Sequence, residues 1–204
     1  MGSIQLDLEN LRMYALELSQ ILDSHTKVIV AEVEAKAKKM SKESRDEWYE
    51  WNEDAHWQLS DVFPSIMQDS LFVTTYSYLE SALASIVKKL ANDNPKPVKL
   101  QELRGDGLQL FKTYLNKVQE IDFPDNSSEW QRISTYRRIR NFIVHNDRKL
   151  EDSKNADIVR QFSSQYPQLV SINRFNKISI TKECNTDFID RVEKFFSTLL
   201  DKIS

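Results

Sequence analysis

The sequence predicts an all-α protein, a helical bundle with long N-terminal helices and one small β-hairpin just before the last helix. Three observations carry this reading. Gly and Pro number only 3 and 5 in 204 residues, so few turns are encoded and long helices are favoured over a many-stranded sheet. Apolar residues recur at three- and four-residue steps along most of the chain, which is the spacing of one helix face. Apolar–polar alternation is confined to LVSINRFNKISIT, residues 169–181, where two short runs flank Asn173–Asn176 as in a hairpin.

The elements follow in order. Residues 4–39 read as a long helix, with Ile4, Leu8, Leu11, Ala15, Leu18 and Leu22 on one face and the pattern continuing through Val28, Ala31 and Ala35. Ser41 is placed to cap a second helix over 42–62, whose first turn carries Glu43. Trp48, Trp51 and Trp57 on that helix read as packing residues of an N-terminal extension. Pro64 suits the first turn of a new helix, and residues 65–91 are amphipathic and apolar enough for the core. Asn92–Pro97 is the clearest break. A short helix at 98–103, an interruption at Gly105-Asp106-Gly107 and a helix over 107–120 come next. The loop 123–128 offers Ser or Asn as a cap for a helix over 128–147, and residues 185–202 close the chain. The expected division is 1–63 as a helical extension and 64–204 as the main helical domain, packed as one unit.

Composition narrows the function. Apolar residues make up 40% and charged residues 29%, with a net charge of −3, so no global basic field draws the chain to nucleic acid and any such site is a local patch. The single Cys184 excludes an intrachain disulfide and a cysteine-rich zinc site. No apolar stretch reaches the roughly 18 residues of a membrane span. The N-terminal residues lack the pattern of a secretory signal, and Met1-Gly2 is a poor myristoylation start because Leu6 stands where Ser or Thr is wanted. The expected location is cytoplasmic, with no cofactor and no metal. His25 and His56 have no second ligand at metal spacing. Glu43, Asp46, Glu47, Glu50, Glu53 and Asp54 read as a solvated acidic face, or as a charge partner for another protein or subunit.

The chemistry concentrates in Arg140-Asn141-Phe142-Ile143-Val144-His145. Between Arg132 and Lys149 there are six cations (Arg132, Arg137, Arg138, Arg140, Arg148 and Lys149) and one anion, Asp147. The segment therefore carries +5 in an acidic chain. Arg grips phosphate in a fork, and His exchanges a proton near neutral pH. On a helix, Ser134, Arg138, Asn141, His145 and Arg148 share a polar stripe, while Ile133, Tyr136, Ile139, Phe142 and Ile143 face the bundle. Arg140 lies five residues before His145 and projects about 140° away from it. A twofold pair of such helices would bring both groups to one substrate, so the site reads as half of a shared one. A solvated basic helix face with a surface histidine is the plainer alternative.

This motif, late in a helical bundle, resembles that of the HEPN superfamily: an arginine, a polar residue, three mostly apolar residues and a histidine. The preceding helix Thr74–Leu90 and the hairpin with its final helix are similar to neighbouring parts of many members, so the resemblance covers roughly 64–203. It implies a metal-independent endoribonuclease acting as a toxin or anti-phage defence effector, dimeric through the motif helix, with RNA as substrate and an antitoxin or defence partner. It implies that His145 is the general acid or base, that Arg140 stabilises the phosphorane, and that Asn141 orients His145 or holds phosphate. Arg137, Arg138, Arg148 and Lys149 would bind RNA, and Glu80 would brace Arg140. One toxin group has a modifiable tyrosine two residues after the histidine. Here that place is Asp147, which removes that regulation and puts a negative charge near the site. The alternative within the same resemblance is a non-catalytic module that binds RNA or protein.

Overall fold

A computed structural model describes residues 2–105 and 107–203. Met1, and with it the question of an N-terminal acyl site, lies outside these residues, as does Asp106 in the expected Gly105–Gly107 break. The described residues form seven α-helices: α1 (Gly2–Ala37), α2 (Lys42–Trp57), α3 (Phe63–Asp93), α4 (Gly107–Lys117), α5 (Ser128–His145), α6 (Lys154–Gln165) and α7 (Lys182–Ile203). Strands β1 (Val170–Ile172) and β2 (Ile178–Ile180) pair antiparallel, with Val170 opposite Ile180, immediately before α7. No helix among them is long and apolar enough to cross a membrane.

The core is built where α3, α5 and α7 meet. Each carries a periodic apolar face. Phe72, Leu79 and Leu83 come from α3, Ile133, Tyr136 and Ile139 from α5, and Phe188, Val192 and Phe195 from α7; all nine are fully buried. Phe72 meets Tyr136 edge-on at 5.4 Å between ring centres, and both touch Phe188. A second cluster joins Phe123, Trp130 and Phe195. Rings of this kind bury a large apolar area in specific tilted contacts. The predicted inner face of the motif helix is therefore the observed one, with Trp130 added.

The N-terminal region departs from the sequence reading in three ways. First, α1 joins the bundle only along its first half. Leu8 is fully buried, Arg12 bonds Asp190 and Glu193 of α7, and the Tyr78 hydroxyl of α3 donates to the Ile4 carbonyl at 3.2 Å. Beyond Leu22 the inward stripe is not Val28, Ala31 and Ala35, which are exposed. Thr26, Val30 and Ala37 take over, because the second half of α1 faces α2 and a 3.6-residue helix drifts under a fixed heptad. Second, the regular helix expected over 42–62 ends at Trp57, while Pro64 lies in the first turn of α3 as expected. One wide turn, Gln58–Val62, joins α2 to α3, and the Phe63 N–H reaches back five residues to Gln58 O. Widening the turn gives the proline ring room where a regular helix would press it against a carbonyl. Third, Trp51 is 86% exposed and Trp57 is exposed too. Only Trp48 packs, its indole N–H donating to Val33 O at 3.2 Å.

Other boundaries move slightly. The helix expected at 98–103 is a single 3-10 turn at Leu100–Glu102, and α7 starts three residues early, where Thr181 Oγ1 accepts from the Cys184 N–H. Helix α6 was not expected at all. Ser153 caps it by accepting from the Ala156 N–H, and Ala156, Val159 and Phe162 bury one face. That stripe is three residues long and follows a charged run, too short to stand out as a period.

Because Leu8 is sealed against the bundle while Val28 is open, Leu8→Ala should cost about 2–4 kcal/mol in urea unfolding. Val28→Ala should change stability by less than about 0.5 kcal/mol. Equal small effects would show that the first half of α1 is not part of the core.

Candidate functional site

Helix α5 presents the motif on its outer side. Its start is fixed by Ser127, whose hydroxyl oxygen accepts from the Trp130 N–H at 3.1 Å and whose O–H donates to Pro124 O at 2.7 Å. Its end is His145, not residue 147. The N–H groups of Asn146 and Arg148 both donate to Phe142 O, at 3.2 and 2.9 Å. This needs left-handed backbone at Asp147 (φ 47°) and Arg148 (φ 63°), a conformation costing roughly 1–2 kcal/mol per L-residue.

The surroundings hold that turn. Arg148 turns back to α3, with Nε 2.5 Å from Asp69 Oδ2 and Nη1 donating to Ser65 Oγ at 2.7 Å. Its carbonyl accepts from the Ile178 N–H of β2 at 3.0 Å. Lys177 Nζ reaches Asp147 Oδ2 at 2.5 Å and keeps that carboxyl below its ordinary range. The negative charge beside His145 is thus already answered by a cation. Burial raises Asp69, and Arg148 acts against that rise.

The expected stripe therefore breaks at its last member. Arg148 leaves the helix and serves as an anchor between α5 and α3. Asn141 and His145 remain exposed on the outer face, one turn apart. Arg138 leans toward α6, donating to Ser134 O at 2.7 Å and to Asn155 Oδ1 at 3.1 Å. Lys149 is exposed and bridges antiparallel to Lys177. Arg137 is half-buried and close enough to Tyr76 to act on its phenol.

Arg140 is half-buried and rests on a residue that the sequence reading missed. Its guanidinium carbon lies 5.1 Å from the ring centre of Tyr76 on α3, a cation–π contact. Its Nη1 donates to Asn141 Oδ1 at 3.2 Å, and its Nε is buried with no partner among the described residues. Glu80 is near enough to act on the Tyr76 phenol. Burial first, then the Glu80 charge, raise this phenol, while Arg137 and Arg140 act against them. Glu80 and Arg140 form no ion pair among the described residues, so the direct brace expected of Glu80 is not formed, and Arg140 rests on Tyr76 instead. The four-residue step from Tyr76 to Glu80 was the available signal, since such pairs touch on a helix. Glu80 also faces the start of α4. A Cβ on Gly107 (φ +49°) would lie 2.6 Å from Glu80 Oε1, so a side chain there would push the Glu80 carboxylate aside in a backbone conformation that favours glycine.

Five cavities of about 370–690 Å³ lie along α1–α3, α7 and the hairpin, and none of these five is lined by Arg140, Asn141 or His145. The motif occupies an outer helix face that a second surface could cover. Among the described residues no group of three or more His, Cys, Asp or Glu could hold a metal ion. No protein-family model, no curated protein and no solved structure matches the chain.

Removing Arg148 would leave Asp69 partly buried and unpaired. A carboxyl whose folded pKa is raised above its unfolded value of about 3.8 costs no stability below that pH and costs progressively more as pH rises through the folded pKa. Arg148→Ala should therefore lose more stability at pH 7 than at pH 4 in urea titrations, and equal losses would refute the pairing.

Proposed function

We propose that the chain is a metal-independent endoribonuclease of HEPN type, acting as a homodimer in which two α5 helices share the site. The observation that carries this reading is the state of Arg140. Arg12, Arg148, Arg160 and Arg191 are all paired with carboxylates. Arg140 is held instead by a ring and an amide, so its charge is left for an anion beside exposed Asn141 and His145. An arginine steered without being neutralised is what phosphate recognition requires.

In the proposed reaction an imidazole of His145 takes the proton of a ribose 2′-OH, and O2′ attacks the adjacent phosphorus. Arg140 stabilises the negative charge that grows on the phosphorane oxygens. The P–O5′ bond breaks, and the second copy of His145 protonates the departing oxygen. The products are a 2′,3′-cyclic phosphate and a 5′-OH. Two copies are needed because Arg140 and His145 of one helix diverge by about 140°. Arg138, Arg137 and Lys149 then flank the RNA backbone. The role as a toxin or phage-defence effector, in the cytoplasm and with an antitoxin or defence partner, rests on the family resemblance.

Purified protein incubated with mixed RNA in EDTA should generate cyclic-phosphate ends. His145→Ala should lower the rate by about 10²–10⁴-fold, and Arg140→Ala by about 10²–10³-fold, both without loss of folding. If wild type forms no more such ends than His145→Ala at any concentration, the catalytic reading fails and a binding module remains.

A further inference from the structure

Helix α2 is sixteen residues long and buries none of them. With the second half of α1 it forms a two-helix arm, held by the Trp48 bond to Val33 O, by Lys36 over the Trp48 ring at 5.6 Å, and by Arg45 donating to the carbonyls of Ala37 and Met40. Each helix of such an arm has one partner and can cover only one stripe. On one flank the arm leaves an open groove of about 520 Å³, floored by Ile29, Val30 and Val33 of α1 and Tyr49 of α2. Tyr49 is 46% exposed. Glu34, Glu50 and Glu53 also line the groove, and no Lys or Arg does.

We propose that this groove receives the basic amphipathic helix of a partner protein. The apolar floor calls for a stripe of aliphatic residues at i, i+3, i+4 and i+7, the mode by which a helix enters a groove. The three carboxylates call for Lys or Arg beside that stripe, and such charges set partner choice and association rate more than raw affinity. Charge also decides against the other occupants. Residues 23–62 hold ten carboxylates and six cations, so two arms pairing with each other bring together surfaces of the same sign. The chain's own basic helix, α5, turns Arg138, Asn141 and His145 outward and has no apolar stripe to lay on the floor. A nucleic acid would meet the three carboxylates first. This surface is independent of the α5 site.

The test titrates the full chain with two synthetic helical peptides of about twenty residues, with leucines at i, i+3, i+4 and i+7. One has lysines flanking the stripe and its twin has glutamates. Calorimetry should show one-to-one binding of the lysine peptide and none of the twin. Glu34→Lys/Glu50→Lys/Glu53→Lys should weaken the lysine peptide by about tenfold or more, with thermal unfolding of the bundle unchanged. Val33→Asp should abolish binding. Equal binding of the twins, unchanged binding by the triple variant, or no binding up to about 1 mM would overturn the proposal. So would a wild-type dimer in sedimentation that Val33→Asp dissolves, which would give the groove to a second copy. RNA cleavage by the triple variant should equal wild type, so the two proposals stand or fall separately.

Discussion

The architecture depends on the burial of α5 between α3 and α7, and within that contact on Tyr136. Its ring meets Phe72, Phe162 and Phe188, and its hydroxyl bonds the Asp187 carboxylate. A buried phenol must find an acceptor or bear the cost of desolvation, so this bond fixes the rotation of α5 about its own axis as well as its position. Once that rotation is set, Asn141 and His145 must point outward and Arg140 must point at α3. The polar face is a consequence of the apolar one.

The end of α5 shows the same coupling in reverse. Two left-handed residues, Asp147 and Arg148, stop the helix directly after His145. Non-glycine residues persist in that conformation only where the surroundings over-determine it. Here the Arg148–Asp69 pair, the Lys177–Asp147 pair and the β2 hydrogen bond do so together. The result is a histidine on the last turn of a helix whose exit is clamped to α3 on one side and to the hairpin on the other. The cations of this segment thus divide into two kinds. Arg148 is consumed by structure, while Arg140 and Arg138 are oriented by rings, amides and carbonyls without losing their charge to a carboxylate among the described residues.

The α1–α2 arm follows a different logic from the bundle. In the bundle α3, α5 and α7 pack on one another and bury aromatic residues. In the arm each helix has one partner, and Trp51 and Trp57 stay in solvent. The wide turn at Gln58–Val62 lets a single rod serve both regions, since it carries the chain from arm to core without a loop. An acidic arm and a basic α5 face therefore sit on one protein with opposite preferences for what they meet.

The sequence by itself determined the helical class, the hairpin before the last helix, the cap at Ser41, a Ser or Asn cap for α5 in the loop 123–128, and the inner face of α5. These are local matters, written in periodicity, in cap residues and in the scarcity of glycine and proline. It also singled out Arg140, Asn141 and His145 as candidate polar residues, because charge and spacing are visible along a chain. It did not reveal α6, whose apolar stripe is too short, nor the exposure of Trp51 and Trp57, since an indole reads as core until a partner is found missing. Only the tertiary structure decided that Arg140 rests on the Tyr76 ring, and that Arg148 spends its charge on Asp69. Those pairings join residues about 60 to 80 positions apart. Which cation is neutralised and which is left over depends on what folding carries to its side, and no spacing along the chain records that.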